Sequence, residues 1–153
     1  MALTACATPP APPQGAFRPA GAPIWSSAQL DSARLAGDWR QVAGFGAEGC
    51  RPGGVTISGR TTLTAAFRLC LSGRDWKGAG PMQAAGPGRF VVGGRPWWVL
   101  WADADYRTLV IGTPDGSFGF VLDRSGTAAP DRMRAAREIL DWNGYDLARL
   151  VVF

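Results

Sequence analysis

Residues 54–67 read GVTISGRTTLTAAF. Val55, Ile57, Leu63, Ala65 and Phe67 are apolar and recur at every second position on either side of Gly59-Arg60. Thr56, Ser58, Thr62 and Thr64 fill the positions between them. A period of two is the signature of a strand with one face buried, and Gly next to a polar residue marks the turn between two such strands. The stretch therefore predicts an antiparallel hairpin, with Val55 opposite Ala65 and Ile57 opposite Leu63. The same register sets Cys50 opposite Cys70 on the polar face. We expect these two cysteines to form a disulfide, which would imply an oxidising compartment, the alternative being two buried thiols.

The same grammar extends outward. Short runs at 38–45, 62–71, 76–85, 89–92, 97–102, 106–112 and 117–124 read as further strands. Ser72-Gly73, Gly86-Pro87-Gly88, Gly93-Gly94 and Thr113-Pro114-Asp115-Gly116 separate them. Connections this short pair neighbours in sequence, so eight strands form a meander. After it the period changes. Met133, Ala136, Ile139 and Leu140 make an apolar stripe at helical spacing over 130–142, with Pro130 suited to its first turn and Gly144 to its stop. A short strand at 148–153 ends the chain. The expected fold is all-β: an eight-stranded antiparallel up-and-down barrel with one C-terminal helix packed outside and a short final strand.

Composition bounds the function. The chain has 153 residues, 46% of them hydrophobic and 18% charged, enough for one packed domain. It has no histidine. Catalysis by Ser–His–Asp or Cys–His and His-bound metal are thereby removed, and we expect no enzyme, no metal and no cofactor. The net charge of +4 is spread along the chain without a basic run, so no nucleic-acid partner is expected. No apolar stretch is long enough for a transmembrane helix. Residues 1–27 form an Ala/Pro/Gly-rich tether before a barrel domain at 28–153.

Three segments resemble the lipocalin family. Gly37-Asp38-Trp39 opens the first strand like the family's G-x-W signature. The stretch from Trp98 to Arg107, with Asp105 and Tyr106 in its turn, resembles the second motif. Arg124, closing Val121-Leu122-Asp123-Arg124, resembles the third. The resemblance covers about residues 35–153, is weakest over 74–95, and is closest to bacterial outer-membrane lipocalins. It implies that Trp39 plugs the closed end of the barrel with Arg124 packed across it as a cation–π pair. It also implies an open cup for a fatty acid or lysophospholipid. By strand alternation and the family's register, Phe67, Leu69, Trp97, Val99, Trp101, Val110, Phe118 and Phe120 would line that cup, with Met82 and Phe90 as further candidates. Arg89 and Arg95 would flank the turn at its mouth. Leu3-Thr4-Ala5-Cys6 resembles a lipobox, in which Cys6 takes a lipid anchor, against the alternative of a free cysteine in a tail. The leader that should precede such a motif is expected to be cut short here. The protein would then be a periplasmic lipoprotein of the outer membrane, touching the membrane through lipidated Cys6 and serving lipid storage, transport or membrane maintenance. The competing reading is a structural or interaction lipoprotein whose barrel is filled by its own side chains.

Overall fold

A computed structural model describes residues 16–153. Cys6 lies outside them. Ten strands and one helix follow in order: β1 (Gly37–Phe45), β2 (Gly54–Ser58), β3 (Thr64–Leu71), β4 (Arg74–Pro81), β5 (Gln83–Gly86), β6 (Arg89–Val92), β7 (Arg95–Ala102), β8 (Thr108–Gly112), β9 (Gly119–Asp123), α1 (Pro130–Trp142) and β10 (Leu150–Val152). The sheet runs β4-β3-β2-β1-β9-β8-β7-β6-β5, all neighbours antiparallel, with β10 added to β1. Because β4 and β5 are consecutive, the two ends of this sheet meet and the barrel is nearly closed.

The barrel has nine strands around it where eight were expected. The single run at 76–85 is broken at Met82. Pro81 has no N–H to give to a ladder, and Met82 turns its side chain into the core while its own N–H donates to the carbonyl of Leu63. Before the break the chain pairs with β3, and after it with β6. The β2–β3 hairpin also differs in detail. Val55 faces Phe67 and Ile57 faces Ala65, a shift of two residues from the expected register, because the turn spans residues 59–63. A shift of two preserves the alternation, so the same side chains face inward.

The expected disulfide forms. Cys50 reaches Cys70 from the loop after β1, with the two Cα atoms 5.6 Å apart. Beside it the buried Gln41 fixes that loop. Its Oε1 accepts from the backbone N–H of Cys70 and of Gly53, and its Nε2 donates to the carbonyl of Cys70. Gln41 sits where the β1–β9 register slips by one residue.

Two apolar layers result. The interior holds Leu35, Trp39, Val55, Ile57, Leu69, Trp97, Val99, Leu109, Phe118, Phe120 and Leu122, among others. The outer layer lies under α1: Ala136 and Leu140 bury against Leu100, Val110 and Val121. Arg132 pins the start of the helix through Thr108 and the buried Asp123. Burial opposes ionisation of Asp123. Hydrogen bonds from Ser125, Thr108 and Arg132 outweigh it, and its pKa lies below the ordinary carboxylate value.

Residues 16–27, read from composition as part of the tether, lie against the barrel. Phe17 and Arg18 are buried. Arg18 donates to the carbonyls of Asn143, Pro114, Ala22 and Pro23, which ties the segment to the β8–β9 loop and the end of α1. Further along, the N–H of Ser27 donates to the carbonyl of Val99.

Candidate functional site

One end of the barrel is sealed. A 3-10 turn at Ser32–Leu35 leads into Gly37, and the indole N–H of Trp39 donates to the carbonyl of Leu35. The Arg124 guanidinium lies over the Trp39 ring and donates to the carbonyls of Tyr106, Ala36 and Arg34. Gly37 has a φ of +119°, and a Cβ there would strike the Arg124 guanidinium, so glycine suits this position twice over. Tyr106 sits at a φ of +53° and its hydroxyl accepts from the N–H of Asp31. Asp105 is exposed and pairs with Arg107, whereas Asp103 accepts the turn's backbone N–H groups of Arg107 and Thr108. The signature residues thus build the closed end.

The open end carries the candidate site. A cavity of about 460 Å³ is lined by Phe67, Trp76, Trp97 and Val92, with Arg74, Lys77 and Arg95 beside them. Its floor is aromatic. The rings of Phe67 and Trp97 stand 5.1 Å apart, those of Trp97 and Phe120 5.3 Å, and those of Trp76 and Phe118 5.7 Å. These rings fill the barrel axis below the mouth. Arg95 lies 4.2 Å over the ring of Trp76, so one cation–π contact crosses from β7 to β4. Asp75 is already engaged by Arg68 at 2.9 Å. Among the described residues, no ion pair involves Arg74, Lys77 or Arg95. The site therefore offers apolar contact below and uncompensated positive charge above.

Of the residues expected to line a cup, Phe67, Leu69, Trp97, Val99, Phe118 and Phe120 stand in the interior layer, as do Met82 and Phe90. Trp101 and Val110 do not, and this corrects the expectation. A bulge at Leu100 shifts the β7–β8 register between Val99 and Trp101, so Trp101 follows Leu100 onto the outer face. Val110 alternates with the inward Leu109 and Ile111 and meets the helix layer. Arg89 is also displaced from the mouth. It opens β6 at the far end of that strand and stacks 4.1 Å over Trp98. Trp76, Arg74 and Lys77 were not singled out from sequence. They fall in the Gly-rich stretch where the motif resemblance is weakest, although a lone tryptophan between two basic residues was a visible signal. No group of three or more His, Cys, Asp or Glu side chains suited to a metal occurs among the described residues.

Comparison with known proteins agrees with this architecture. Residues 87–153 match the model of the lipocalin-like domain. No curated protein matches the sequence. Among solved structures, insecticyanin from the tobacco hornworm Manduca sexta superposes with a TM-score of 0.66 at 15% identity, covering 90% of this chain and 88% of that one. The siderocalin Ex-FABP gives 0.62 at 18% identity, covering 78% and 93%. Lobster apocrustacyanin A1 gives 0.59 at 17% identity, covering 92% and 91%. The chain has the lipocalin fold, and over residues 87–153 it matches the lipocalin-like domain family.

Proposed function

We propose that this protein binds a small anionic, lipid-like molecule, a fatty acid or lysophospholipid, at the mouth of its barrel and catalyses no reaction. The carrying observation is the 460 Å³ cavity that joins an aromatic floor of Phe67, Trp76 and Trp97 to Arg74, Lys77 and Arg95. Burying an acyl chain there would contribute near 0.8 kcal/mol per methylene, and a carboxylate or phosphate would meet the arginines, whose planar donors suit both groups. The siderocalin among the structural neighbours is described as working through dual ligand specificities, and a binding role here is of the same kind. We also propose that Cys6 carries a lipid anchor and holds the barrel to the outer membrane on its periplasmic side. The lipobox-like Leu3-Thr4-Ala5-Cys6 and the Cys50–Cys70 disulfide support that setting.

Native mass spectrometry of protein purified from a bacterial periplasm, followed by lipid extraction, tests the reading. A co-purifying fatty acid or lysophospholipid that is lost in Arg95→Ala supports it. A bare mass with no uptake of added lysophospholipid sinks it. That second result would favour the other reading, a structural or interaction lipoprotein. The ring stack of Phe67, Trp97, Phe120 and Phe118 filling the barrel axis is the observation on its side.

A further inference from the structure

We propose that the open end of the barrel docks on an anionic phospholipid surface, with Trp25 and Trp142 set among the lipid headgroups. The folded barrel itself makes this contact, which is separate from a lipid on Cys6 and from a ligand in the cavity.

Of the seven tryptophans, Trp25 and Trp142 alone are exposed, at 52% and 74%. Their rings stand 6.3 Å apart, so two segments distant in sequence set one indole pair at one place on the surface. Asn143, the buried C-cap of α1, holds them together. Its Oδ1 accepts from the N–H of Trp25, and its Nδ2 donates to the carbonyl of Ile139. Side chains of this kind carry about 150–250 Å² each, and folding gains little from leaving two of them in water. A bilayer interface suits them, because the apolar ring meets the acyl boundary while the N–H meets headgroups and water.

The pair stands beside the open rim. Arg18 donates both to the carbonyl of Asn143 and to that of Pro114 in the β8–β9 loop, and the Tyr145 hydroxyl donates to the carbonyl of Phe118. That loop is level with the start of β7, because Gly112 pairs with Trp98 and Arg95 lies beyond Trp98 towards the mouth. Arg51, Arg74, Lys77 and Arg95 stand at this end, and none of them makes an ion pair among the described residues. Of the carboxylates there, Asp75 is held by Arg68, and Asp115 and Asp146 accept backbone N–H groups of their own turns, while Glu48 and Asp141 are exposed. The free charge is positive on balance, the sign that anionic headgroups attract.

The chain also enters the fold at this rim. The N–H of Phe17 donates to the carbonyl of Gly116, its ring lies against Phe45, and a Cβ at Gly46 would strike it. An anchor at Cys6, as proposed above, would therefore hold the mouth, and not the sealed end, within about 35 Å of the bilayer, the most that the intervening residues can span. A leash of that length brings the rim to the membrane without orienting it. The indole pair and the rim cations supply the orientation.

The test uses the full chain with Cys6→Ser, so that no lipid anchor contributes. It is floated with vesicles of equal parts phosphatidylcholine and phosphatidylglycerol, and with vesicles of phosphatidylcholine alone. Binding is expected to the anionic vesicles, and it should be weaker to the neutral ones. Trp25→Ala/Trp142→Ala should bind the anionic vesicles at least about tenfold more weakly, with an unshifted thermal melt and unchanged affinity for a fatty acid in solution. Should the double variant melt early, Trp142→Ser, at the more exposed position, should show the same loss to a smaller degree. No binding to the anionic vesicles, equal binding to both kinds, or binding undiminished by the variants overturns the docking face. So does self-association that needs the two indoles and occurs without vesicle binding, which would make the pair a contact between copies of the chain. A wild type that docks but takes up no fatty acid overturns the ligand reading alone.

Discussion

Arg124 holds its guanidinium 3.8 Å from the centre of the Trp39 ring, and each of its three nitrogens donates to a different backbone carbonyl at the sealed end. One side chain thus joins the 3-10 lead-in, the first strand and the β7–β8 turn. Truncation in Arg124→Ala removes the cation–π contact and leaves the carbonyls of Ala36, Arg34 and Tyr106 without this donor. We expect a loss of about 2–4 kcal/mol in urea unfolding, with ligand affinity of the folded protein unchanged, because the cavity is at the opposite end.

The Cys50–Cys70 bridge closes a loop over a sequence separation of 20 residues. The double variant Cys50→Ser/Cys70→Ser should unfold with about 3 kcal/mol less stability by the chain-entropy model. Gln41 still ties the loop to β3 in that variant, so folding should persist. Adding a reductant should destabilise the wild type and leave the double variant unaffected.

Tyr145 gives the protein an alkaline limit. Its buried hydroxyl donates to the carbonyl of Phe118 and accepts from the N–H of Thr113, and burial pushes its pKa from 10.0 to about 12. Below pH 10 the phenol is neutral in both folded and unfolded chains, and its contribution is complete. Above that, the unfolded phenol ionises while the folded one stays neutral, so stability falls as pH rises towards 12, by about 2–3 kcal/mol in all. Tyr145→Phe should begin about 1–3 kcal/mol less stable, having lost both hydrogen bonds, and should show a shallower decline above pH 10. Chemical denaturation at stepped pH reads both effects.

Arg95 is the rim cation that also contacts the aromatic floor. Arg95→Ala should weaken a fatty acid by about tenfold, and Arg95→Lys by less, since lysine keeps the charge but loses the planar fork. The exposed position means the melting temperature should hardly move. Equal affinity in all three proteins would place the headgroup elsewhere.

The sealed end was legible in the sequence because it is local. Gly37-Asp38-Trp39 and Arg124 stand in short segments whose geometry follows from one turn and one strand end. Period and turn residues likewise located most strands and the whole of α1. Three features were hidden for a shared reason. The bulge at Leu100, the break at Met82 and the two-residue shift opposite Val55 each insert or re-pair residues without changing the types present. Parity survives the shift, which is why Phe67 and Leu69 lie inside, and fails at the bulge, which is why Trp101 lies outside. The packing of residues 16–27 was masked by Ala/Pro/Gly composition. Phe17 and Arg18 are the lone aromatic and the lone charged residue among the first 24, and both are buried, so the exceptional residues carried the signal that the average concealed.

The break at Met82 makes the barrel a split ring, with one strand supplying both of its loose ends. In a seamless hoop the girth is fixed by the number of rungs, and widening it means pulling a ladder apart somewhere. A split ring has a girth that depends on how far its ends overlap. Here no ladder joins β4 to β5, so a change in the gap between them costs no rung of the nine strand pairings among the described residues. The one unladdered join in the wall is accordingly a joint of one residue.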